Sequence, residues 1–366
     1  MKRSTLHALI VALAVVVGAI ALLVPRGTER PAETQGLSAV PGLEERVNEV
    51  TRLTVTGAGE QVLATLRRGE AGWTVDELSG YPARIETLRE VLGGLARAEV
   101  MEPKTDNPAY YDRLGVEPVA GEDAGGLRLD LAASDDDQWS VIVGNEAPAR
   151  GGHYLRMADA TGSVLARFDA NIPGNAAGWA DTRVVDLMSA EVAEVRVMHA
   201  DGEVITASKT SADETDFTLA ELPEGREIKS AWSVNSLGSA LSTLDFEAVR
   251  PADGFDWTGA SELRTVRFDG LVVIAHLLRT EEDGDWVRLE VETPWLEAST
   301  SVESGDDAGD AASGEPDVNA AAAAELEQTA SALAERTRGW AYRIPGYKAD
   351  AMVPRLADLL REPAGS

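Results

Sequence analysis

One pattern of hydrophobic alternation and turn residues occurs twice in this chain, and that repetition restricts its fold more than any other feature. Residues 50–66 read VTRLTVTGAGEQVLATL, an alternating strand, a glycine-rich turn and a second strand. Residues 192–208 read VAEVRVMHADGEVITAS, the same plan with Asp201-Gly202 as a hairpin turn. A third short strand follows each, around Trp73 in GWTVDEL and around Phe217 in DFTLAEL. Leu53 and Val195 lie 142 residues apart, and Trp73 and Phe217 lie 144 apart, so the spacing holds across the unit.

Each hairpin leads into a helix. Ile85, Leu88, Val91, Leu92 and Leu95 fall on one helical face in the first copy. Val234, Leu237, Leu241 and Leu244 do so in the second, with Ser230 as the expected N-cap. Strand-like exits follow at 96–103 and 245–251, and then further strands: GLRLDLAAS, QWSVIVG, HYLRM and SVLARFD in one copy, ELRTVRFDG, LVVIAHLLRT and DWVRLEVE in the other. The expected fold is α+β, with two similar antiparallel sheets, each carrying a helix on one face. The first repeat is expected over residues 49–190 and the second over 191–366. Residues 300–319 hold six acidic residues, no basic one and no aromatic, which predicts a disordered insertion in the second copy. A helix is expected at 320–338, then a strand GWAYRI matching SVLARFD, then a final helix from Lys348 interrupted near Pro354.

Ahead of the repeats, Thr5 to Val24 is a run of twenty residues without Asp, Glu, Lys or Arg. As a helix such a run spans ~30 Å, one hydrocarbon core. Lys2 and Arg3 precede it, so residues 1–24 read as a cytoplasmic tail and a single-pass inner-membrane anchor, with the bulk of the chain periplasmic or otherwise extracytoplasmic. A cleaved signal peptide, with Ala19-Ile20-Ala21 as its small-residue site, is the alternative; the run continues beyond the 7–15 apolar residues such a segment needs. Residues 25–48 read as a stalk.

Composition excludes several functions. With 33 basic and 62 acidic residues the formal charge is −29, which argues against a nucleic-acid partner. The absence of cysteine removes disulfides, thiolate nucleophiles and thiolate metal sites. No G-x-S-x-G, H-E-x-x-H or G-x-x-x-x-G-K-[ST] motif occurs. The histidines beyond the anchor, His153, His199 and His276, fall in separate strands and read as structural. Asp135-Asp136-Asp137, the acidic run 281–285 and Asp306-Asp307 match no calcium loop and read as solvated turns. No catalytic residue, cofactor or metal ligand is expected, and the chain reads as a non-enzyme. Most of the eight tryptophans read as core. Trp295, at the edge of the insertion, and Tyr110-Tyr111 in NPAYYDRLG are the residues expected to meet a partner.

These pieces resemble the family catalogued as domain of unknown function 4340. The resemblance rests on the anchor, Gly72-Trp73-Thr74-Val75 before Gly80-Tyr81-Pro82-Ala83, and Tyr111-Asp112-Arg113-Leu114-Gly115-Val116. It continues through Trp139-Ser140-Val141-Ile142-Val143-Gly144, His153-Tyr154-Leu155-Arg156 and Tyr342-Arg343-Ile344-Pro345-Gly346-Tyr347-Lys348. Arg84 in place of an acidic cap, Phe217 in place of a second tryptophan, and the long insertion depart from the pattern. The resemblance implies an envelope protein associated with an ABC transporter of the gliding-motility auxiliary type, and it supplies no catalytic residues. The function expected is therefore a membrane-anchored accessory or scaffold subunit with envelope partners such as an ABC permease. The alternative is a periplasmic module that binds a ligand in the cleft between its two repeats.

Overall fold

Period-two burial runs through the first repeated segment: β1 (Arg52–Thr56) hides Leu53 and Val55 completely, and β2 (Val62–Gly69) hides Ala64 and Leu66. The computed structural model describes residues 36–134, 136–220, 222–292 and 318–362. The expected anchor at Thr5–Val24, residues 25–35 of the expected stalk, Trp295 and nearly all of the acidic insertion lie outside the described residues; residues 36–48 of the expected stalk hold a helical turn, Leu43–Arg46, with Val40 and Leu43 fully buried. No helix among the described residues is long and apolar enough to cross a membrane.

The architecture is mixed α+β with two large antiparallel sheets. After β1 and β2 come β3 (Gly72–Val75), β4 (Tyr81–Pro82), helix α1 (Ile85–Ala96) and β5 (Glu99–Pro103). The first sheet is completed by β6 (Leu127–Ala132), β7 (Gln138–Glu146), β8 (His153–Met157) and β9 (Ser163–Arg167), in the order β4-β3-β2-β1-β6-β7-β8-β9-β5. A short strand β10 (Arg183–Val185) then precedes β11 (Val192–Met198), β12 (Val204–Ser208) and β13 (Thr218–Leu219). Helix α2 (Ala231–Gly238) follows, then β14 (Leu244–Asp245), which pairs with β10, and β15 (Ala248–Pro251). Next are β16 (Ser261–Arg267), β17 (Val272–Thr280), β18 (Gly284–Glu292), helix α3 (Val318–Thr337) and β19 (Trp340–Ile344). The second sheet runs β13-β12-β11-β16-β17-β18-β19-β15. Without β4, the two orders correspond strand for strand, with the strand that follows the helix at the far edge of each.

The chain forms two compact units. Among the described residues, one comprises 36–50, Val55–Gln61 and Arg89–Asn171; the other comprises Thr51–Thr54, Val62–Leu88 and those from Ile172 onward. Leu129, Leu131, Val141, Ile142, Leu155 and Phe168 are buried in the first. Trp179, Trp286, Tyr342, Val195, Val197 and Leu263 are buried in the second, where Tyr81 meets Phe246, Trp340 and Tyr342 edge-on at 5.3, 5.1 and 6.1 Å. Such ring pairs add to the stabilisation that burial gives.

Three local outcomes have clear causes. Ser230 caps α2 as expected, its side chain accepting from the Ser233 amide. The helix is shorter than its apolar spacing predicts, because Ser233, Ser236, Ser239 and Ser242 each donate a hydroxyl to the carbonyl three residues back, at 2.7–3.1 Å. Those side-chain bonds compete with helix geometry, and the chain passes into tight turns after Gly238. The last helix is broken at Pro354 into α4 (Gly346–Met352) and α5 (Leu356–Leu359), with Met352, Leu359 and Leu360 buried but Leu356 only half-buried.

Gly238 lies against the Phe217 ring, where an added Cβ would stand 2.3 Å from a ring carbon. Helix propensity alone would make alanine the better residue there by about 1 kcal/mol. Steric overlap reverses that sign, so Gly238→Ala should lower stability by about 1–3 kcal/mol in urea denaturation. A neutral or stabilising result would contradict this packing.

Candidate partner-binding site

In the first unit, three of the short motifs in the sequence converge on one loop. Asn107 opens it, accepting from the Ala109 amide at 3.1 Å and starting a single turn over Pro108–Tyr110. This is the side-chain cap that Asn favours. The next residue, Tyr111, turns inward and is 4% exposed, packed with Val116 and Ile142 and flanked by Leu114 and Tyr154. Its hydroxyl donates to the Thr161 carbonyl.

Arg156, from HYLR on β8, holds the loop down. It is 5% exposed, and its Nε donates to the Val116 carbonyl at 2.7 Å. One terminal nitrogen reaches the carbonyls of Met157, Ala158 and Ala160 at 3.3, 3.2 and 2.8 Å. The guanidinium also sits 4.8 Å from the Tyr111 ring centre. Burying a guanidinium costs several kcal/mol, and charge-assisted bonds of about 1.5–3 kcal/mol each offset that cost.

The floor under the loop is glycine. A Cβ on Gly144, the last residue of WSVIVG, would stand 2.2 Å from the Leu114 carbonyl oxygen. One on Gly126 would stand 2.1 Å from the Gly115 carbonyl oxygen. The approach is closed by the Asn145 amide, which donates to the Leu114 carbonyl at 2.8 Å. Only glycine lets the loop backbone lie this close to the sheet.

What this construction presents outward is Tyr110, 45% exposed, with the Arg113 guanidinium 4.9 Å from its ring centre. Tyrosine and arginine on a pre-ordered loop are a favourable contact surface for a protein partner. Of the expected contacts, Tyr110 is therefore placed on the surface; Tyr111 serves the loop's own core, and Trp295 lies outside the described residues. In the second unit, Trp232 on α2 is 78% exposed and Tyr347 on α4 is 71% exposed, so Trp232 is not among the tryptophans that pack as core. Trp232 belongs to the first turn of a capped helix, ahead of the buried residues Val234 and Leu237.

Several of the polar groups singled out in the sequence are engaged with nearby chain. His153 Nδ1 is 2.9 Å from the Phe168 carbonyl, and His199 Nε2 is 3.0 Å from the Pro354 carbonyl. His276 Nε2 lies 3.3 Å from a Glu290 carboxylate oxygen, outside hydrogen-bond geometry. Asp137 pairs with Arg46, and that guanidinium, helped by the Ser134 hydroxyl, holds its carboxyl below the usual range. In the 281–285 turn, Asp283 pairs with Arg250 at 2.6 Å, and burial raises the Asp285 carboxyl. Burial also lowers the Lys348 ammonium, which donates to the Ser242 carbonyl. No group of three or more His, Asp or Glu gathers as a metal cage among the described residues.

The family model described as "Domain of unknown function (DUF4340)" matches residues 73–269. That span includes the Tyr111, Gly144 and Arg156 motifs and stops before the 342–348 segment. No curated protein and no solved structure shows significant similarity to the chain.

Arg156→Met should lower stability by about 2–4 kcal/mol, since it leaves buried carbonyls without donors. Arg156→Lys should recover only part of that loss, because an ammonium cannot reproduce the planar fork. Tyr110→Ala should change stability by less than about 0.5 kcal/mol, as an exposed contact residue would. Urea denaturation of the three variants checks this ranking, and an equal loss in Tyr110→Ala would show that Tyr110 is structural.

Proposed function

This chain belongs to the DUF4340 family, and we propose that it is a non-catalytic, membrane-anchored envelope protein that scaffolds an ABC-type transport system. The observation that carries this reading is the Tyr110–Arg113 platform, exposed and aromatic on a loop fixed from beneath by Arg156. Pre-ordering matters because a partner then binds without the cost of fixing a loop. Exposed Trp232 and Tyr347 in the second unit add to this reading, as large apolar side chains facing water in a chain of net charge −29.

Membrane attachment is part of the proposal and rests on the uncharged run Thr5–Val24 behind Lys2 and Arg3, which orients the described residues outside the cytoplasm. Matching strand orders in the two sheets support an origin by tandem duplication. A duplicated scaffold offers two similar surfaces that can diverge toward different partners.

Purification of the full-length chain from native membranes in mild detergent tests the proposal. Wild type should bring down an envelope partner that includes a transporter permease, and Tyr110→Ala with Arg113→Ala should lose it while the chain stays folded. Recovery of the wild-type chain alone would overturn the scaffold reading. Retention of the partner by the double variant would move the contact away from this platform.

A further inference from the structure

The open face of the second sheet carries an arrangement that the scaffold reading does not use. Strand register places Arg196 on β11 directly opposite Arg264 on β16. Like charges directly opposite each other in an antiparallel pair are destabilising. Neither guanidinium has an ion-pair partner among the described residues. Glu194 and Glu262 sit on the diagonals, two residues along each strand, and neither closes on an arginine.

The corresponding strand of the first sheet shows what closure looks like. There Arg128-Leu129-Asp130 occupies the place of Glu262-Leu263-Arg264, with Leu129 and Leu263 both fully buried. Arg128 pairs with Asp130 at 2.9 Å and with Glu60 at 3.7 Å, and Ser140 donates to Asp130 at 2.5 Å. At this place the first sheet pairs its charges, and the second leaves Arg196 and Arg264 without an ion-pair partner among the described residues.

Beside Arg264 lies an open depression of about 470 Å3, lined by Glu194, Ser208 and Lys209 on one side and by Val266 and Val272 on the other; the Lys209 ammonium is buried and donates to the Ser189 carbonyl. That volume lies within the range of small-ligand sites, and the lining combines an apolar floor with a few convergent polar groups. A simple anion is disfavoured by Glu194 and a simple cation by the arginines. The complementary ligand carries both charges a few ångströms apart, together with an apolar branch.

We propose that this face binds a zwitterionic amino acid or short peptide. Arg264, backed by Arg196, takes the carboxylate; Glu194 takes the ammonium; the Ser208 hydroxyl bonds a polar atom; and the half-buried Val266, with Val272 buried beside it, receives the apolar side chain. The guanidinium provides a planar fork that matches a carboxylate. Ligand binding would relieve the repulsion between the two arginines, which accounts for their being held opposite one another.

Calorimetric titration of the full-length chain with leucine, Leu-Leu, 4-methylpentanoate and isopentylamine tests this. Leucine or Leu-Leu should bind, and the two single-charge analogues should bind at least about tenfold more weakly. The stronger of the first two tells whether a free amino acid or a peptide is the ligand. Arg264→Gln should lose at least about tenfold in affinity without a lower Tm, because it removes a like-charge pair. Glu194→Gln, nearly isosteric, should abolish the preference for zwitterion over 4-methylpentanoate. No heat with leucine and Leu-Leu at about 10 mM, equal binding of the analogues, or an unchanged preference in Glu194→Gln would each overturn the proposal.

Discussion

A single buried arginine organises the best-defined surface of this protein. Arg156 holds a guanidinium at 5% exposure, and the partners of its Nε and of one terminal nitrogen are all backbone carbonyls. Such a group is stable only where the surrounding backbone supplies acceptors in the right directions, which ties the course of residues 116 and 157–160 to one side chain. Tyr111 packs beneath the guanidinium, and Gly126 and Gly144 let the loop settle on the strands. Tyr110 and Arg113 face outward because their neighbours are committed inward. The exposed platform is a consequence of the buried clamp.

The two sheets share a strand order but differ in charge pairing at one corresponding place. In the first, Arg128, Asp130, Ser140 and Glu60 form a closed network. In the second, Arg196 and Arg264 stand opposed without partners among the described residues, beside a depression with an acidic wall. With 62 acidic and 33 basic residues, carboxylates to pair with an arginine are plentiful. Leaving two arginines opposed in such a chain is therefore a specific feature of that face.

Much of the fold was legible because it is local. Hairpins at 50–66 and 192–208 announce themselves by alternation and turn residues, and α1 by apolar spacing that matches the burial of Leu88, Val91, Leu92 and Leu95. The early end of α2 was not legible, since its cause is a ladder of serine hydroxyls bonding to the backbone rather than a missing apolar position. The exposure of Trp232 was not legible either: residue type favours burial, but its place in the first turn turns the ring to water. Tyr111 was read as a partner contact because adjacent tyrosines look alike in sequence; only the distant Arg156 and Thr161 show that one of them faces inward. Trp179, fully buried, lies in a segment without periodic pattern and gave no signal. The Arg196–Arg264 opposition depends on a register between strands 68 residues apart, which no local pattern reports.

The central claim is that Arg156 fixes the 107–120 loop on the first sheet. Amide hydrogen exchange of wild type and Arg156→Met, under conditions where both are folded, tests it directly. The account predicts that the Val116 amide, bonded to Tyr111, and the Asn145 amide, bonded to Leu114, lose protection. Amides of the β6–β7 ladder around Leu129 and Val141 should keep theirs. Unchanged protection in the loop, or an even loss across the whole sheet, would contradict it.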